Sequence, residues 1–155
     1  MSPLSRRGAL LALIGLGVAG LSSPAEAKPK RPKIRWKILV PERKDRPRLE
    51  YLLKEILDKE TRKARWGKGY TGEVEALIDV RELTARVDGE IVRVTCAAQG
   101  KIQELGVAKS RFSYGGRAEQ QAQLEKHILE LVARGIIVRL AEMAREKHDG
   151  WKVYR

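Results

Sequence analysis

Asp88-Gly89 lies between two long runs of alternating apolar residues, and no other feature restricts the fold of this chain so strongly. Asp-Gly supplies the backbone freedom that a two-residue hairpin turn demands. Pairing outward from Val87 and Glu90 sets Ala85 opposite Val92 and Leu83 opposite Val94, all on one face. Further out the first run changes phase: Val74, Ala76, Ile78 and Val80 are even-numbered, whereas Leu83 and Ala85 are odd. The second run keeps its phase through Val92, Val94, Cys96, Ala98, Gly100 and Ile102. One extra residue near Arg81-Glu82, a β-bulge, restores the match. The resulting register puts Val80 opposite Cys96, Ile78 opposite Ala98, and Glu75 opposite Lys101 on the outer face.

A hairpin with one apolar face needs cover, and the flanking segments offer it. Residues 34–40 alternate, with Ile34, Trp36, Ile38 and Val40 on one side and Arg35 and Lys37 on the other. This pattern predicts a half-buried strand stopped by Pro41. Asp45 can cap a helix that tolerates Pro47 in its first turn. Leu49, Leu52, Leu53, Ile56 and Leu57 then form one apolar stripe, which is lost after Leu57. This helix is expected to end near Trp66, with Arg62, Lys63 and Arg65 at the negative end of its dipole. Residues 107–114 read as a third strand of the meander, punctuated by Gly115 and Gly116. From about residue 117 to 147 a long helix carries Leu124, Ile128, Leu131, Val132, Ile136 and Leu140. Gly135 inside it calls for close backbone contact with the sheet. Gly150 breaks the chain, and residues 151–155 either add a short edge strand or stay loose. The order predicts a two-layer α+β domain with a mainly antiparallel sheet of three to four strands. Two helices cover one face, the long one at the carboxy end.

Ahead of this domain, residues 1–27 have the make-up of an export signal. Arg6 and Arg7 give a positive start, residues 8–21 a short apolar run, and Ala25-Glu26-Ala27 a small-x-small cleavage pattern before Lys28. The run is short for a membrane-spanning helix, which needs about 20 apolar residues. No cysteine lies near the cleavage pattern, which excludes lipid attachment there. Ser5-Arg6-Arg7-Gly8-Ala9-Leu10-Leu11 resembles the twin-arginine export motif, with Ala9 where that family usually carries phenylalanine and Leu11 where it often carries lysine. The resemblance implies passage across the membrane in folded form and a bacterial or archaeal source. An ordinary secretory signal also begins with basic residues, so both routes stay open. Cleavage would leave 128 residues. Residues 28–33, with Pro29 and Pro32, read as a basic disordered lead-in. Residues 34–155 read as a single domain, periplasmic or secreted.

The formal net charge of +12 is unevenly placed. Ten of the 32 Lys and Arg residues fall between positions 28 and 48, against only Glu42 and Asp45. From Leu49 onward the excess is only +3. Lys28, Lys30, Arg31, Lys33, Arg35 and Lys37 thus form a leading arm that attracts polyanions by counterion release, or simply keeps the protein soluble. In an envelope the polyanions are lipid head groups, lipopolysaccharide, teichoic-type polymers and extracellular DNA. Cys96 is the one cysteine, so no internal disulfide forms and stability must come from packing.

Arg65, Trp66, Lys68 and Tyr70 in the glycine-rich segment 65–72 are the best ligand-binding candidates. Two aromatics and two cations there suit sugars, phosphates or an anionic polymer. The alternative is that both aromatics fold back over the core. Cys96 sits on the apolar strand face, where a thiol acts as a small hydrophobe. His127 and His148 are 21 positions apart, and no His, Cys or carboxylate set has metal-ligand spacing. No metal and no cofactor are expected. No G-x-S-x-G elbow and no G-x-x-x-x-G-K-[ST] loop is present. Glu73, Glu75 and Asp79 share a strand face, either as an acid/base set for glycoside cleavage or as a solvated outer face.

In layout the domain is similar to small envelope domains such as the amino-terminal domain of the Tol system's periplasmic component and related curli-secretion and flagellar accessory proteins. That similarity implies an envelope setting. Together these features point to an exported, non-catalytic binding or assembly module that contacts a partner protein or an anionic envelope surface. A small secreted hydrolase using the strand-face carboxylates and a non-specific nucleic-acid binder are the alternatives.

Overall fold

The computed structural model describes residues 31–148. The export signal, Lys28, Lys30 and the expected extra strand at residues 151–155 lie outside them. The elements follow in the order β1 (Pro32–Leu39), α1 (Arg46–Lys63), β2 (Gly72–Asp88), β3 (Ile91–Ile102), β4 (Gly106–Arg117) and α2 (Gln121–His148). A 3-10 turn at Ala118–Gln120 leads into α2. The strands form one mixed sheet in the order β1-β2-β3-β4. β1 pairs parallel with β2, and the other two pairings are antiparallel. Parallel neighbours need a long crossover, which α1 supplies. α1 packs on β1 and α2, while α2 packs on β3 and β4, so the helices share one face of the sheet. This is the expected two-layer α+β fold.

The core lies between these layers. Leu53, Leu57, Ile78, Val92, Val94, Ile102, Ile136 and Leu140 are among its most deeply buried side chains. A register shift between Val80 and Glu82 places the bulge at Arg81, where the phase change predicts it. The turn itself sits one residue later than expected, through Gly89-Glu90, with Asp88 paired to Ile91. Gly89 takes φ +61°, and no non-glycine among the described residues has positive φ. Asp88 therefore stays in the strand and Gly89 becomes the first loop residue, the place where a glycine-first hairpin turn needs it.

This moves each pairing by two positions: Ala85 faces Val94, Leu83 faces Cys96, Val80 faces Ala98 and Ile78 faces Gly100. An even shift keeps every side chain on its face, so the core set is unchanged. The outer pairs do change. Lys101 lies opposite Leu77, and Glu75 lies opposite Arg35 of β1 rather than Lys101.

Three local expectations are corrected. Asp45 precedes α1 but its side chain makes no capping bond. Its carboxylate lies 3.0 Å from Arg43 Nε instead. α1 ends at Lys63 rather than near Trp66, because Ala64 is already extended at ψ 152°. β1 begins at Pro32, so Pro32 and Lys33 belong to the sheet and not to a disordered lead-in. Gly135 does meet the sheet closely: a Cβ there would lie 2.9 Å from Ser110 Oγ.

Candidate functional site

The glycine-rich loop between α1 and β2 does not present its aromatics. Trp66 and Tyr70 are each only 3% exposed. Their rings stack with centroids 5.7 Å apart, and the Tyr70 ring lies 5.2 Å from that of His148 at the end of α2. The Trp66 indole N–H donates to the Thr61 carbonyl at 3.0 Å. Both rings thus close the core where α1 hands over to β2, and burial removes them as surface ligand contacts. Arg65 and Lys68 are exposed, and the Arg65 carbonyl accepts a hydrogen bond from Arg145. The four residues do not form a cradle.

The Tyr70 hydroxyl is buried and makes no hydrogen bond among the described residues. Burial first, and the Glu104 charge second, push it from 10.0 up to about 12. Burial, with Glu82 second, likewise pushes the Cys96 thiol from 9.0 up to about 12. Cys96 is fully buried, an inert core thiol as its place on the apolar face suggests.

Both values are raised in the folded state, so the neutral forms stabilise it fully below about pH 9, the ordinary thiol value. That stability is lost as pH climbs towards about 12. Urea melts across this window should show a steady fall. Tyr70→Phe should remove the upper part of it and raise neutral-pH stability by about 1 kcal/mol, since the stranded hydroxyl is gone.

The carboxylates proposed for acid/base work lie on the open outer face. Glu73 is held 2.9 Å from Arg35 Nη2, and Asp79 2.7 Å from Arg81 Nε. Each is matched to its own cation on a helix-free surface, and no enclosed carboxylate pair forms among the described residues. His127 packs edge-on to Tyr114 at 5.8 Å. Among the described residues no group of three or more His, Cys, Asp or Glu could hold a metal.

What the fold does bring together is charge. The side chains away from the helices form rows across the sheet. One row reads Lys37, Leu77, Lys101, Val107 across all four strands. The next reads Leu39, Asp79, Gln99, Lys109. Beyond the bulge come Glu82, Ala97, Arg111, then Thr84, Thr95, Ser113, then Arg86, Arg93, Gly115, and finally Asp88, Ile91, Arg117. With Lys33, Arg35 and Arg81, the face carries ten cations against five carboxylates. A shallow depression of about 490 Å³ opens at the bulge between Arg81, Gln99, Lys109 and Arg111, floored by Ala97.

Of the arm, Lys33, Arg35 and Lys37 join this face as part of β1, and the Arg31 guanidinium donates to the Arg62 carbonyl. Arg86, Arg93, Lys109, Arg111 and Arg117 are not among the candidates the sequence offers, and Arg81 and Lys101 enter there only as a bulge position and as the partner expected for Glu75. The signal for most of them is the phase opposite to the apolar one, read strand by strand. No described helix is long and apolar enough to cross a membrane.

No family model and no curated protein matches the chain. Among solved structures it is similar to a protein provisionally named a lipoprotein from Caulobacter crescentus CB15, at 15% identity and TM-score 0.47, covering 72% of this chain and 92% of that one. It is also similar to a minor lipoprotein from Acinetobacter baumannii, at 17% identity and TM-score 0.33, covering 76% and 92%. A PelC variant dodecamer from Paraburkholderia phytofirmans is similar at 13% identity and TM-score 0.43, covering 76% and 94%.

Proposed function

We propose that this is an exported envelope protein, periplasmic or secreted, which works by binding and holds its helix-free sheet face against an anionic surface. The observation that carries the reading is the two-to-one excess of cations over carboxylates on that face. The signal-like residues 1–27 support the location, whether export follows the twin-arginine or the general route. The lead-in cations Lys28, Lys30 and Arg31 would add to the same attraction, since the chain enters the sheet beside Lys33, Arg35 and Lys37. Acid/base catalysis fits less well, because Glu73 and Asp79 are each spent on a neighbouring arginine.

The test is cosedimentation of the mature chain, residues 28–155, with phosphatidylglycerol-containing and neutral vesicles. Binding should require the anionic lipid. It should weaken steadily between about 50 and 500 mM salt, because the screening length shrinks over that range. Binding to neutral vesicles, or binding indifferent to salt, would overturn the reading.

A further inference from the structure

Six arginines lie on the outer face or at its bulge, and four have a carboxylate within reach. Arg35 pairs with Glu73 at 2.9 Å, Arg81 with Asp79 at 2.7 Å, Arg111 with Glu82 at 3.5 Å and Arg117 with Glu119 at 3.7 Å. Arg86 and Arg93 are the exceptions. They stand directly opposite each other across the hairpin, both exposed, and neither has an ion-pair partner among the described residues. Like charges placed opposite in a ladder repel and weaken it. Stability alone does not account for such a pair.

The surroundings suit an oxyanion. The row continues into Gly115, whose missing side chain leaves the floor beside Arg93 bare. A Cβ there would meet nothing nearer than the Val92 carbonyl at 4.0 Å, so packing does not require the glycine. The adjacent row supplies hydroxyls, Thr95 and Ser113, whose oxygens are 3.0 Å apart. Same-face rows are separated by about 7 Å along a strand, a span that an arginine side chain covers. Two guanidinium forks, with the one hydroxyl hydrogen that the Thr95–Ser113 bond leaves over, match a tetrahedral phosphate.

The source of the phosphate follows from the hairpin tip. Ile91, which follows the turn on the same face as the two arginines, is 63% exposed. An exposed apolar side chain beside paired arginines, on the face held against the surface, suits a lipid interface, with the cations at the head groups and Ile91 reaching below them.

We infer that Arg86 and Arg93, with Thr95, Ser113 and the bare floor at Gly115, form a site for the phosphate of an anionic phospholipid. This rests on the anionic-surface reading and locates it on one row. In cosedimentation with phosphatidylglycerol vesicles, Arg86→Gln/Arg93→Gln should lose about tenfold or more in affinity, given the attraction of each cation near such a surface. Arg35→Gln/Arg81→Gln lowers the charge of the same face equally and should lose only the general attraction, about threefold, since both guanidinium groups already hold carboxylates and take no phosphate.

Because the opposed pair repels, Arg86→Gln/Arg93→Gln should unfold at an equal or higher temperature than wild type; a lower temperature would contradict the argument. Inorganic phosphate should shift the Arg93 and Gly115 amide resonances in wild type and not in that variant. Ile91→Ser should weaken vesicle binding while leaving the phosphate shifts in place. Equal losses in the two arginine variants would overturn the site and leave the anionic-surface reading standing. No binding of wild type to anionic vesicles would overturn both. Tighter binding to single-stranded DNA than to vesicles, lost in the same variant, would overturn the lipid assignment.

Discussion

Replacing Gly100 with alanine is expected to destabilise the domain by about 3 kcal/mol, a typical upper cost of overfilling a well-packed core. A Cβ at this position would fall 2.3 Å from Ile136 Cγ2 and 3.4 Å from Leu140 Cδ1. Ile136 cannot step aside easily, because it is fully buried and its β-branched side chain is confined to one rotamer in a helix. Something larger must move, either α2 or the centre of β3. Urea unfolding of Gly100→Ala should show a lower midpoint at unchanged slope. Ile136→Ala alone should cost about 2–4 kcal/mol for the cavity it opens. Combined with Gly100→Ala it should cost clearly less than the sum, since the new methyl fills part of that cavity. Additive losses, or a Gly100→Ala protein as stable as wild type, would show that α2 is not seated on the bare backbone of β3.

The contact between Gly100 and Ile136 also marks where the sequence stopped being informative. That Gly100 lies on the inward face could be read from the strand's alternation. That α2 leans on this glycine could not, because it depends on the position of a helix some 36 residues later. Local pattern served well where period and phase decide the outcome. The face of every residue in β2 and β3 and the bulge at Arg81 follow from a shift between even and odd positions.

The register was less legible, because it turns on whether Asp88 or Gly89 starts the loop, and Asp-Gly admits both. That one-residue choice has a functional consequence. A turn through Asp88-Gly89 would set Arg86 opposite Ile91 and Arg93 opposite Thr84, with no opposed arginines. The turn through Gly89-Glu90 brings the two together. The Trp66–Tyr70 loop was legible only as an alternative. Glycines and aromatics there fit a ligand loop or a core lid equally well until the end of α2 supplies the His148 ring.

The second half of α1 holds the other large expected effect. The apolar stripe stops at Leu57, yet the buried stripe does not: it continues through Glu60 and Thr61. Each is matched from another element. The Trp36 indole donates to the Thr61 hydroxyl at 3.4 Å. Arg134 of α2 donates to Glu60 twice, from Nε at 3.2 Å and Nη2 at 3.4 Å. The Glu60 side chain is 7% exposed, and that of Arg134 is 52%.

This asymmetry sets the direction of the prediction. Arg134→Leu strands a buried carboxylate and should cost about 2–3 kcal/mol, below the usual range for breaking a buried pair because water reaches the arginine's side of it. Glu60→Leu leaves an arginine that turns to solvent and should cost less than about 1 kcal/mol. The double variant should recover most of the Arg134→Leu loss, since an apolar pair can replace a buried ion pair at little net cost. Thermal and urea melts of the four proteins form the cycle. Equal losses from the two single variants would mean that Glu60 is solvated in the folded state. In that case the apolar stripe, and not the bridge, would be what fixes α1 against α2.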